Sequence, residues 1–141
     1  KVNVIITVSP IRYAKYGYHG SQLSKAVLLL ATDKVIKEEG ERVYYFPAYE
    51  IVNDELRDYR FYKADMLHPN EQAVEYIWEL LVTTCFSAEA KQFLEEWRPI
   101  KEALAHRPFH PEAAAYQDFI KITKEKAKML ELKYPNIELN L

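Results

Sequence analysis

A single cysteine, Cys85, stands in 141 residues, so the chain can close no internal disulfide and offers no second thiolate for a metal site. That fits a reducing compartment and favours a cytoplasmic setting over a secreted one. Charge of either sign is also lacking in excess. Lysine and arginine number 19 against 21 acidic residues, a net charge of −2, which removes the electrostatic basis for nucleic acid or an anionic membrane as partner. Long apolar runs are missing too. The longest, Ala26 to Ala31, falls far short of the ~20 residues of a membrane-spanning helix. No internal repeat and no low-complexity segment interrupts the chain.

What is present is a hydrophobic fraction of 49%, enough to build a core in a chain of this length. The chain opens on Lys1 and enters "VNVIITV" at once, which reads as a buried strand and predicts a start inside a domain. This β-branched run, Val2 to Val8, suits a central strand covered on both faces, closed by Ser9 and Pro10. The loop "SPIRYAKYGYHGSQ" holds two of the three glycines. It leads into a helix with Leu23, Val27, Leu30 and Ile36 at helical spacing, capped by Ser21 or Ser24 and stopped at Gly40. "RVYYFPAYEIV" follows as a second apolar strand broken by Pro47. Strand, helix and strand predict a right-handed parallel crossover. Two strands alone make no stable open parallel sheet, so partner strands are expected upstream or on another chain, and a homo-oligomer through the unpaired sheet or the helical hairpin is one outcome.

After the charged and aromatic connection "NDELRDYRFYKAD", Pro69 opens a helix with Ala73, Val74, Ile77, Trp78 and Leu81 on one side. Residues 87–141 read as a helical hairpin, "SAEAKQFLEEWRPIKEALAH" and "HPEAAAYQDFIKITKEKAKMLELKY" around the break "RPFHP". The expected organisation is therefore an α/β portion over residues 1–86 with the hairpin of residues 87–141 packed on it.

Asp65 and His68 carry the strongest chemical signal. The connection after the second strand reaches the crevice beyond the carboxyl ends of the strands, where α/β proteins bind ligands. An aspartate bonded to one imidazole nitrogen orients the ring and leaves the other nitrogen to take a proton from a serine. The same spacing also suits a cap on the Pro69 helix. Arg12 and His19, on the first loop, are candidates to meet a substrate carboxylate or sugar hydroxyl. Arg57 and Arg60 are candidates to brace the Asp65 loop. His106 and His110 have the spacing of a metal pair, but Pro108 between them breaks the helix that would align them, and no metal site is expected. The clustered tyrosines, without a basic excess, point to packing rather than nucleic acid.

"DMLHPN" resembles the Asp-x-x-His-Pro-Asn block of SGNH (GDSL-like) serine hydrolases. With "TVSPIR", "SKAVLLLA", "VYYFPAYEIVNDELRDYRFYKADMLHPNEQAVEYIW" and "HRPFHPEAAAYQDF", nearly the whole chain is similar to the GSCFA family, a bacterial group related to the SGNH enzymes. The resemblance implies the C-terminal part of a three-layer α/β/α, flavodoxin-like SGNH fold. It implies a metal-independent esterase of acyl or acetyl groups, acting on a small-molecule or glycan-linked ester without a cofactor, in which Asp65 orients His68 and His68 is the base. The Gly-Ser-Cys-Phe-Ala string and the oxyanion blocks of such proteins are absent from these residues. The nucleophile is thus expected upstream, and the portion alone is expected to be inactive. The alternative is a non-catalytic module for protein assembly in which Asp65 and His68 cap a helix.

Overall fold

The computed structural model describes residues 2–139. The chain divides into two compact units, Lys1–Thr84 and Cys85–Leu141, and it is mostly helical, with one small parallel sheet among the described residues.

In the first unit, β1 (Val4–Ile6) pairs in parallel with β2 (Val43–Tyr45), Val4 opposite Val43 and Ile6 opposite Tyr45. Between them runs α1 (Gly17–Glu39). Its end at Gly40 follows from the backbone: φ there is +60°, a conformation open to glycine, and the Gly40 N–H donates to the Ile36 carbonyl. The strands are shorter than their apolar runs, and the expected double cover on the first strand is not found. Val4 and Ile5 are both exposed, because one neighbouring strand and one helix shield only part of a sheet whose side chains alternate faces.

Two other expectations for α1 are corrected. Leu23, Val27 and Leu30 do not face inward: they are 55%, 66% and 71% exposed. The inner face instead carries Ser21 and Lys25, both buried, with Leu29, Thr32 and Ile36 continuing it. Ser21 does not cap the helix either. It lies one turn inside, where its Oγ accepts the Tyr13 N–H at 3.1 Å, and neither Ser21 nor Ser24 provides the cap because the helix already starts at Gly17.

After β2 the backbone turns at Pro47, so "AYEIV" is not strand. It forms the short α2 (Ala48–Glu50) and then a wide π-helical turn, Ile51–Leu56, closed by the Arg57 N–H on the Val52 carbonyl at 3.0 Å. Tyr45 Oη donates to the Glu50 carboxylate across this bend. Phe46, Ala48 and Ile51 form a core with Tyr76, Ile77, Leu80 and Leu81 of α3 (Glu71–Cys85). Ala73 is fully buried, whereas Val74 and Trp78, expected on the inner side, are exposed. The apolar stripe is rotated by one position because tyrosine supplies part of the inner face.

In the second unit α4 (Ala88–Ala105) is capped by Ser87, whose Oγ accepts the Ala90 N–H at 3.1 Å, and runs through Pro99. It packs against α5 (Ala114–Lys133). Phe93, Trp97, Ile100 and Leu104 meet Ala127, Leu130 and Tyr134. Glu96 pairs with Lys133 at 2.5 Å, and His106 lies near Tyr116, so the two helices run antiparallel. The second helix begins at Ala114 rather than at the His110–Pro111 break. Ala127 has no exposed surface, which leaves no room for a larger side chain. Ala127→Leu is therefore expected to destabilise the protein by about 1–3 kcal/mol, read as a lower urea midpoint.

Candidate functional site

The segment from Phe61 to Asn70 closes on itself as a small hairpin. Tyr62 bridges Pro69 in antiparallel fashion. The Asn70 N–H donates to the Phe61 carbonyl at 2.8 Å, and the Lys63 N–H to the His68 carbonyl at 2.8 Å. Inside this closure the Met66 N–H returns to the Lys63 carbonyl, and Met66 takes a left-handed φ of +60°. The Asp65 carboxylate holds the tip: Oδ1 accepts the N–H groups of Leu67 (2.8 Å) and His68 (3.0 Å), while Oδ2 faces His68 Nδ1 at 2.6 Å. An aspartate side chain that satisfies the amides two and three residues on is how such a tip is formed locally.

These contacts correct the capping expectation. Neither Asp65 nor His68 caps α3. Asn70 does, with Oδ1 accepting the Ala73 N–H at 3.0 Å, while its Nδ2 donates to the Arg60 carbonyl at 2.6 Å. One asparagine thus starts the helix and ties the hairpin closed.

The electrostatics of the pair follow from its bonds. The His68 and Leu67 backbone donors, then the His68 ring, pull the Asp65 carboxyl down from 3.8 to about 2. At neutral pH Asp65 is a carboxylate that only accepts, so the proton between the two side chains sits on His68 Nδ1. Among the described residues the other ring nitrogen, Nε2, makes no hydrogen bond. Both side chains are exposed.

Beside the hairpin lies a cleft of about 420 Å³, whose wall includes Met66 and Leu67, the two residues between Asp65 and His68. Its other walls come from the segment after β1, Pro10 to Ala14, from α1 and from the Tyr49–Tyr59 region after β2. It therefore sits beyond the carboxyl ends of both parallel strands. Arg12 joins the two parts. Its N–H donates to the Leu67 carbonyl at 3.0 Å, and its guanidinium lies 4.3 Å from the centre of the Tyr62 ring and 5.1 Å from that of Tyr59.

The other sequence candidates are placed differently. His19 is not on the loop, since α1 has already begun at Gly17, and its exposed side chain does not line the cleft. Arg57 occupies the left-handed position that ends the π-helical turn. The Arg60 guanidinium pairs with Asp58 at 3.1 Å, so Arg60 supports the hairpin by its carbonyl and not by its charge. His106 ends α4 and His110 lies in the following loop against Glu112. No group of three or more metal-ligating side chains forms among the described residues, and no helix among them is long and apolar enough to cross a membrane.

Lys25 escaped the sequence reading. It is only 8% exposed, its Nζ donates to the Ser9 carbonyl at 2.5 Å, and burial lowers its pKa. The signal was its place one turn after Ser21, which puts the two on one stripe of the helix beside the leucine and valine positions.

The Asp65 titration is directly observable. Because its folded pKa is depressed, the carboxylate-dependent hold on the tip is complete above the ordinary 3.8 and is lost only as pH falls through about 2. A carboxyl-carbon NMR titration should find Asp65 ionised at pH 3; a midpoint near 3.8 would contradict the bonding described. Asn70→Ala, which removes both the cap and the tie to Arg60, should cost about 1–2 kcal/mol in urea unfolding, with Asn70→Asp recovering the cap.

The model of the GSCFA family matches residues 1–81, and that of the GSCFA domain protein C-terminal domain matches residues 97–141. No curated protein and no solved structure matches the chain. The chain belongs to the GSCFA family.

Proposed function

We propose that this GSCFA-family chain supplies the Asp–His half of the catalytic triad of a serine ester hydrolase, acting on an acyl or acetyl ester carried by a small molecule or glycan. The single observation that carries the reading is the 2.6 Å contact from Asp65 Oδ2 to His68 Nδ1, with Nε2 left for proton transfer. The cleft beyond the strand ends is lined by Met66 and Leu67, the residues between the pair, and not by Asp65 or His68 themselves, so it supports the reading by its nearness in the chain. The fold inference goes with it: β1, α1 and β2 are read as the C-terminal portion of a three-layer α/β/α SGNH domain.

In this mechanism a serine outside these 141 residues attacks the ester carbonyl. His68 Nε2 takes the Oγ proton as the Oγ–C bond forms, then passes it to the departing alkoxide as the ester C–O bond breaks. Water repeats the sequence on the acyl-enzyme: its proton goes to Nε2, its oxygen bonds the acyl carbon, and the serine leaves and recovers the proton. Asp65 stays ionised throughout, holding the ring and stabilising the imidazolium.

The competing reading, an assembly module without catalysis, draws on the exposed Ile122, Met129 and Leu132 of α5. Serine-directed fluorophosphonate labelling separates the two. The full-length gene product should label and His68→Ala should not, while Asp65→Asn should retain binding but lose turnover by on the order of ten-thousandfold. Equal labelling of wild type and His68→Ala would refute the general-base role.

A further inference from the structure

The cleft is polar in a particular way. Two cations line it, Lys25 and Arg12, and among the described residues neither forms an ion pair with a carboxylate. Lys25 is buried with one of its three donors spent on the Ser9 carbonyl. A buried ammonium without a counter-charge is costly, and an anionic ligand would offset that cost.

The rest of the lining narrows the ligand. Three backbone donors of the loop are already used: the Ile11 N–H on Ser9 Oγ, the Arg12 N–H on the Leu67 carbonyl, the Tyr13 N–H on Ser21 Oγ. Charge recognition falls to two side chains, the lysine ammonium and the Arg12 guanidinium, which also donates to the Met66 carbonyl at 3.5 Å and keeps further donors for a carboxylate. Gln22 and Asn53 are both half committed to Tyr49, Gln22 through Oε1 and Asn53 through Nδ2. Gln22 Nε2 and Asn53 Oδ1 remain, one donor and one acceptor, the complement of sugar hydroxyls. Tyr18 and Tyr59, largely exposed at the rim, supply ring faces for a sugar to lie on.

We propose that this cleft binds the carboxylated sugar ring of an acidic glycan, its carboxylate taken by Lys25 and Arg12 and its hydroxyls by Gln22 and Asn53. The assignment rests on the ester-hydrolase reading for the role of the bound sugar, which would present an ester to His68, but not for the binding itself.

Saturation-transfer NMR on the full-length protein, with sodium D-glucuronate as probe, tests it. Glucuronate should bind saturably, D-glucose at least about tenfold more weakly, and Arg12→Gln and Lys25→Met should each weaken glucuronate by about tenfold or more, the value of one charge-assisted bond. Arg12 lies near the surface, so its variant keeps the test valid if the buried Lys25→Met fails to fold. Equal binding of glucose, displacement by inorganic phosphate as readily as by glucuronate, or indifference to Arg12→Gln would overturn the assignment. Serine labelling with no glucuronate binding would sink the cleft assignment and leave the triad standing. Glucuronate binding without labelling would uphold the cleft and sink the triad.

Discussion

The first unit depends on the closure of residues 61–70. These ten residues leading into α3 would otherwise sample many conformations, each residue costing about 1–2 kcal/mol to order. Here the main-chain bonds between Phe61 and Asn70 and between Lys63 and His68 close it, and two side chains complete the job. Asn70 joins the hairpin to α3, and Asp65 fixes the tip. The same carboxylate that sets the backbone also faces the imidazole. Structural and chemical roles are thus compatible in one residue, since the oxygen holding the tip is not the one that meets the ring.

The cleft next to this hairpin arises from parallel pairing. Because β1 and β2 run in the same direction, the segments that leave them emerge at one end, and Arg12 from the first meets Met66 and Leu67 from the second. The π-helical turn adds to this by carrying Asn53 into the cleft wall. Widened turns of this kind recur at functional sites because they displace one side chain from the regular helical position.

Local chemistry was legible wherever it was decided by neighbours in the chain. The antiparallel pair α4 and α5 followed from periodicity and the proline break, and Gly40 as a helix stop followed from the demand for positive φ. Asp65 and His68 were found from spacing and context. Their backbone role was not, and the cap Asn70, a residue type that favours that position, was passed over because Pro69 reads as the first helical residue whereas the helix starts at Glu71. The misread face of α1 has a similar cause. Leucine and valine at helical spacing normally mark the core side, but the stripe that packs here is led by Ser21 and Lys25.

By itself, then, the amino-acid sequence determined the order of the elements, the two helices of the hairpin with the break between them, and the Asp–His pair, each set by residues within a few positions of one another. Only the tertiary structure decided that "AYEIV" bends into a π-helical turn rather than a strand, which side of α1 turns inward, and that an unpaired lysine and arginine share one cleft. Those outcomes depend on contacts between residues distant in the chain, Arg12 with Leu67 and Tyr49 with Gln22 among them, and no local pattern encodes which distant partner a side chain will meet.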